Sequence, residues 1–72
     1  MSTQAKEQRT YILYDSRACG GDTEDASVLV CCESNREACE YKGDYGPMAC
    51  FSYRRDGRNL VDERFEWNWY DH

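Results

Sequence analysis

The chain has 72 residues with a formal net charge of −5, so it can form one domain around a small core. Hydrophobic residues make up 40% of the chain and aromatic residues 14%, which argues against disorder. The acidic balance argues against direct nucleic-acid binding, which needs a basic field around phosphates, and no apolar run approaches the ~18 residues of a membrane span.

The N-terminal part of the chain predicts a tail, a strand and a turn. Residues 1–9 are polar and lack the apolar region of a secretory signal, so we expect a loose tail, a single domain over 10–72 and a cytoplasmic location. The segment TYILY predicts a strand over 10–14, which residues 15–18 extend or end. After the breaker CGG, Asp22 is a candidate N-cap for one helical turn over 23–25.

The middle of the chain predicts a strand followed by a helix. Residues 27–33 (SVLVCCE) are apolar and β-branched, which indicates a buried strand covered on both faces. Cys31 and Cys32 then point to opposite faces, because neighbouring strand residues alternate. The capping box SNRE at 34–37 begins a helix that runs to about residue 42, and the segment GDYGP ends it.

The C-terminal third predicts a hairpin, because Asp56-Gly57 is a strong turn signal between 48–55 and 59–67. A three-residue loop over 55–57 sets Phe51 opposite Val61 and gives a better apolar face than a two-residue turn. That face comprises Ala49, Phe51, Tyr53, Val61, Phe65 and Trp67. Together the elements predict an α+β fold, with an antiparallel sheet of about four strands in β-β-α-β-β order packed on one helix.

The five cysteines do not form a recognisable site. They stand at positions 19, 31, 32, 39 and 50, and no pair has the Cys-x2–4-Cys spacing of zinc sites. The single histidine, His72, is the last residue of the sequence given, so an imidazole base for a thiol is poorly placed. We expect structural cysteines, no metal or other cofactor and no catalytic residue, with a metal or redox role as the alternative.

Two sets of residues are candidates for binding. The first would contact a basic partner through acids around the loop and helix and through C-terminal rings, namely Asp22, Glu24, Asp25, Glu33, Glu37, Glu40, Asp44, Trp67 and Trp69. The second would hold an anionic, nucleotide-like ligand with Arg17 or with the hairpin tip at Arg54, Arg55 and Arg58. The acids and arginines could instead only solvate the surface, and the tryptophans could complete the core.

The motifs LYDSRA (13–18), GDTEDA (21–26) and VL (28–29) carry a resemblance. They resemble the LYDxRA…GDTxDAxVL pattern of small uncharacterised proteins of bacteria and phages, over most of residues 10–64. In kind, a small acidic chain is also similar to phage-encoded anti-defence inhibitors, including anti-CRISPR proteins. The shared pattern invites a structural role for its charged residues, such as a bidentate bridge from Arg17 to the turn at 22–25.

The likeness in kind implies a protein of phage or mobile-element origin that acts in the cytoplasm of a bacterial host. The sequence shows no Ser/His/Asp set, metal motif or phosphate loop, so we expect a non-enzymatic interaction protein. It would bind and inhibit a basic, nucleic-acid-binding host defence protein or nucleoprotein complex. In its sharpest form it would mimic the charge of DNA. A ligand-sequestering oligomer, a homodimer and a structural domain remain the alternatives.

Overall fold

The structure, a computed structural model, describes residues 9–70. One antiparallel sheet contains four strands, which are β1 (Arg9–Tyr14), β2 (Val28–Cys32), β3 (Met48–Asp56) and β4 (Asn59–Trp69). A 3-10 helix (Ser16–Gly20) follows β1, and the helix α1 (Asn35–Cys39) connects β2 to β3. The four-stranded antiparallel sheet is confirmed, whereas the helical part is smaller than the sequence predicted.

Neighbouring strands in the sheet follow the order β2-β1-β3-β4, which differs from their order along the chain. The central strands β1 and β3 are covered on both faces, because alternate residues of an apolar strand point to opposite sides. On one face, here called the α1 face, the core comprises Leu13, Cys32, Ala38, Met48 and Cys50. On the other, here called the loop face, it comprises Ile12, Tyr14, Ala18, Ala49, Phe51 and Tyr53.

The terminal hairpin closes through a two-residue loop, so the predicted three-residue loop is wrong. Asp56 pairs with Asn59, and Gly57 (φ 64°) takes the first central position, where a tight hairpin turn favours glycine. Two irregularities in the β3–β4 pairing then shift the register. Phe51 therefore lies opposite Phe65 instead of Val61.

The same shifts divide the predicted apolar face of the hairpin between the two sides of the sheet. Phe65 stays on the loop face, with its ring 5.6 Å from that of Phe51. Trp67 pairs with Cys50 and packs on the α1 face, because the irregularity between the two pairs inserts an extra β4 residue. The second irregularity includes Asp62, whose φ of 57° is a left-handed conformation that aspartate tolerates better than most residues.

The strand β2 lies at an edge of the sheet and is covered on one face instead of two. Cys32 is buried on the α1 face, while Cys31 is exposed opposite Ile12, so the predicted alternation is confirmed. Val28 is 54% exposed. The predicted burial on both faces fails because an edge strand receives fewer neighbours than a central one.

Both helical segments differ in extent from their predictions. Ser34 caps α1 as expected, but α1 ends at Cys39 and single turns follow, such as the bond from Tyr41 N to the Ala38 carbonyl. Asp22 caps no helix, since its Oδ1 accepts a bond from Glu24 N (2.9 Å) in a side-chain turn.

The strand β1 begins one residue before its predicted start, at the last residue of the predicted tail. Arg9 pairs with Arg54, and its guanidinium donates to Ser52 Oγ (2.9 Å) and forms an ion pair with Asp62 (3.0 Å). The hydrogen bond from Arg9 lowers the pKa of Asp62. Residues 1–8, the rest of the predicted tail, lie outside the described residues.

Candidate functional site

The acidic residues that the sequence grouped together lie on opposite faces of the sheet. Glu33, Glu37, Glu40 and Asp44 lie in or beside α1, whose Ala38 is buried in the α1-face core. Asp22, Glu24 and Asp25 belong to a loop whose Ala26 packs on the loop-face core. The two acidic groups are separated because each segment packs on a different face of the sheet. Ile12 and Leu13, which are neighbours on β1, belong to the cores of opposite faces.

Both tryptophans lie on the same face of the sheet as the acids of α1. Trp67 Nε1 donates to Asn35 Oδ1 at 2.8 Å, which ties β4 to the first residue of α1. Trp69 pairs with Met48 and packs on the same core. Each ring is half-buried, so one side of it completes the core while the other contributes to the surface. The core and interface interpretations are therefore compatible.

Two tyrosines that sequence reasoning did not select extend this surface. Tyr41 and Tyr45 stack with centroids 6.1 Å apart, in the turns that follow α1. Gly43 lies between them and against the Trp69 ring, where a Cβ would sit 3.8 Å from the nearest ring carbon. The sequence signal that could have identified Tyr41 and Tyr45 was their spacing of four residues, which makes side chains neighbours in a helical segment. The surface is here called the aromatic–acidic patch and comprises Glu37, Glu40, Tyr41, Asp44, Tyr45, Trp67 and Trp69.

The acids of the patch differ in whether local hydrogen bonds already engage them. Ser34 Oγ accepts a bond from Glu37 N (3.1 Å), and Glu37 Oε1 accepts one from Glu33 N (3.2 Å). Glu37 is thus engaged in capping α1. Glu40 and Asp44 are exposed and are the acids best placed to meet a partner.

The electrostatic environment of the patch is negative. Partial burial, followed by the neighbouring negative groups that include Glu37 and Asp44, raises the pKa of Tyr41. Burial, followed by the charge of Glu37, also raises the pKa of Cys32. Burial raises the pKa of Cys50 to about 12. Cys32 and Cys50 are accordingly protonated at neutral pH and behave as apolar core residues.

One cation lies on the patch. Lys42 Nζ is 4.6 Å from the centroid of the Trp67 ring, within the range of a cation–π interaction. The side chain of Lys42 is exposed. The side of the Trp67 indole on which Lys42 lies is here called the outer side, and it is accessible to a positive group.

The candidate arginines do not converge on a single site. Arg17 lies on the 3-10 helix, whose Cys19 donates to the Met48 carbonyl at the start of β3. Arg54, Arg55 and Arg58 are exposed at the other end of β3, about 20 Å away at the usual rise of a strand. An anion cannot bridge these groups.

Arg17 makes part of the contact that the sequence predicted. Its Nη1 donates to the backbone carbonyl of Asp25 at 3.3 Å, so the bridge uses a carbonyl instead of a bidentate carboxylate. Asp15 Oδ1 accepts from Arg17 N and caps the 3-10 helix. Arg17, Asp22 and Asp25 line an open depression of about 480 Å³, in which both carboxylates would repel an anion.

A chain of hydroxyl groups crosses the loop face. The Tyr14 and Tyr53 hydroxyls are 2.8 Å apart, and Tyr53 donates to Glu63 Oε2 at 2.6 Å. The same carboxylate oxygen accepts from Thr23 Oγ1 at 3.2 Å. Burial, then the bonds to Glu63 and Tyr14, raise the pKa of Tyr53. This network joins β1, β3 and β4 and ties the acidic loop to the sheet.

Within residues 9–70, no three His, Cys, Asp or Glu side chains are placed to hold a metal ion together. In the same part of the chain, no helix has the length and apolar character needed to cross a membrane. Comparisons of the chain with protein-family models, curated proteins and solved structures found no match.

Proposed function

We propose that this chain is a non-enzymatic interaction protein that binds a basic surface of another protein through the aromatic–acidic patch. The observation that carries the proposal is the hydrogen bond from Trp67 Nε1 to Asn35, which joins the C-terminal rings to the acidic helix α1. A surface with half-buried rings beside exposed carboxylates suits a partner that presents arginine and lysine.

The two components of the patch make different contributions to binding. Exposed carboxylates such as Glu40 and Asp44 act over a range of about 8 Å at physiological salt, so they accelerate and orient encounter. The rings supply contact area with few rotatable bonds to immobilise, which favours slow dissociation. The expected complex is therefore salt-sensitive in its association rate and dependent on aromatic residues in its lifetime.

The proposed partner is a basic, nucleic-acid-binding host protein or nucleoprotein complex, which the chain would inhibit by presenting negative charge where DNA binds. The likeness in kind to small acidic anti-defence inhibitors supports this choice of partner. The acidic net charge of −5 supports it as well. The proposed setting is the cytoplasm of a bacterial cell.

The division of the acids between two faces allows a matched experiment. The double variant Glu40→Lys with Asp44→Lys reverses two exposed charges on the patch. The variant Glu24→Lys with Asp25→Lys makes the same change in net charge on the loop face. Each protein, and the wild type, is immobilised and exposed to bacterial lysate at 50 and 300 mM salt, and captured proteins are quantified by mass spectrometry.

We expect a stoichiometric basic protein on the wild type, reduced at least tenfold on the patch variant and retained on the loop-face variant. The recovered protein should then lose DNA or RNA in competition with the wild-type chain. Equal loss in both variants would show that net charge alone matters and would refute the patch. Capture that does not change between 50 and 300 mM salt would refute the charge-based mode.

A further inference from the structure

The contact between Lys42 and Trp67 indicates how a partner engages the patch. Lys42 Nζ lies 4.6 Å from the centroid of the indole, and the ring is held in place by its bond to Asn35. The ring orientation is thus fixed by α1, independently of the lysine. The outer side of Trp67 is a preformed surface for a positive charge.

Nearby carboxylates do not hold Lys42 in this position. Glu40 and Asp44 are each two residues away, a spacing at which side chains in a helical turn do not face each other. Among residues 9–70, Lys42 forms no ion pair with a carboxylate within 4 Å. The Trp67 ring is therefore the group that Lys42 contacts, and an exposed lysine held in this way is easily displaced.

We infer that the outer side of Trp67 is a cation-binding site which an arginine of the partner occupies, displacing Lys42; this inference rests on the proposed function. In the free protein, Lys42 covers the site and lowers its apparent affinity. Binding then exchanges an internal cation for an external one on the same ring.

Arginine fits the site better than lysine for two reasons. A planar guanidinium stacks on an indole and is less strongly hydrated than an ammonium group. Its remaining N–H groups are spread over a planar fork, so they can also donate to a carboxylate of the patch that lies beyond the reach of the Lys42 ammonium group. A partner that presents arginine is therefore expected to bind more tightly than one of equal charge that presents lysine.

The test compares the removal of Lys42 with the removal of another cation of the helical segment. Lys42→Ala and Arg36→Ala each lower the net charge by one, but Arg36 lies on α1 and makes no cation–π contact with Trp67. Fluorescein-labelled nona-arginine and nona-lysine serve as probes, and fluorescence anisotropy gives their affinities. The variant Trp69→Phe leaves Trp67 as the single tryptophan, so its emission reports whether a peptide reaches this ring.

We expect Lys42→Ala to tighten nona-arginine binding about two- to fivefold more than Arg36→Ala does, which corresponds to one exposed cation–π contact. Nona-arginine should bind the wild type more tightly than nona-lysine and should change Trp67 emission. Circular dichroism on each variant confirms that the fold is retained.

The contrary results separate this inference from the proposed function. Suppose that Lys42→Ala and Arg36→Ala have equal effects while the Glu40→Lys, Asp44→Lys variant still loses binding. That result would overturn the cation site on Trp67 and leave the proposed function standing. Equal affinity for the two peptides would also overturn the cation site. If neither peptide binds at 50 mM salt, both the inference and the charge-based function are refuted.

Discussion

Replacing Tyr53 by phenylalanine tests whether the hydroxyl chain on the loop face holds this small fold together. The change removes one oxygen and keeps the ring, which is 8% exposed. It deletes the donor to Glu63 Oε2 (2.6 Å) and separates the Tyr14 hydroxyl from its partner at 2.8 Å. Both losses fall on the buried side of β3.

The magnitude follows from the two bonds. A hydrogen bond to a charged acceptor contributes about 1.5–3 kcal/mol, and the exposure of Glu63 favours the lower end. The Tyr14 hydroxyl, left in the core without this partner, costs about 1 kcal/mol more. We therefore expect the free energy of unfolding to fall by about 2–3 kcal/mol, a large part of the ~3–5 kcal/mol typical of a core this small.

Urea unfolding followed by tryptophan fluorescence measures the change. Tyr14→Phe is the matched control, because it removes the hydroxyl pair but leaves the bond between Tyr53 and Glu63 intact, and about 1 kcal/mol is expected. A double-mutant cycle of Tyr53→Phe with Glu63→Gln isolates the charged bond. A cost below about 0.5 kcal/mol for Tyr53→Phe, or full additivity with Glu63→Gln, would show that the hydroxyl chain does not hold the fold together.

Two further predictions concern the cap of α1 and the buried thiol of β3. Ser34→Ala removes the acceptor for Glu37 N and should lower the free energy of unfolding by about 1 kcal/mol, measured by urea unfolding. Ser27→Ala, the control at an exposed position, should cost nearly nothing. Equal effects of the two changes would contradict the capping role of Ser34. Burial raises the pKa of Cys50 from 9.0 to about 12, so the folded state keeps a proton that the unfolded chain loses. That stability is complete below pH 9 and declines towards pH 12 by up to about 1.4 kcal/mol per pH unit. Urea titrations at pH 8, 9 and 10 should show a steeper decline for the wild type than for Cys50→Ala, and identical slopes would contradict it.

The parts of the fold that depend on local chemistry followed from the sequence. The apolar strand at TYILY, the helix start at the capping box 34–37 and the hairpin signalled by Asp56-Gly57 each became the expected kind of element, although the hairpin loop is shorter than predicted. Each depends on bonds or side-chain alternation within a few residues. The acids and tryptophans of the patch were also selected from the sequence, although their grouping was only partly right.

The sequence did not predict which acids and aromatic residues share one surface, because long-range strand register decides that. Trp67 reaches α1 because irregularities in the β3–β4 pairing shift the strand, and no signal within β4 indicated them. Tyr41 and Tyr45 stack in the turns that follow α1, a contact that depends on how the chain continues after Cys39.

The sequence by itself determined the four-stranded antiparallel sheet, the start of α1 and the opposite orientation of Cys31 and Cys32. Tertiary structure alone decided which strands lie at the edges, which residues oppose each other in the hairpin and which acids share a face with the tryptophans. The physical reason is that caps, turns and alternation are local properties of a few residues. Strand order and register instead depend on how all of the apolar faces are buried at the same time.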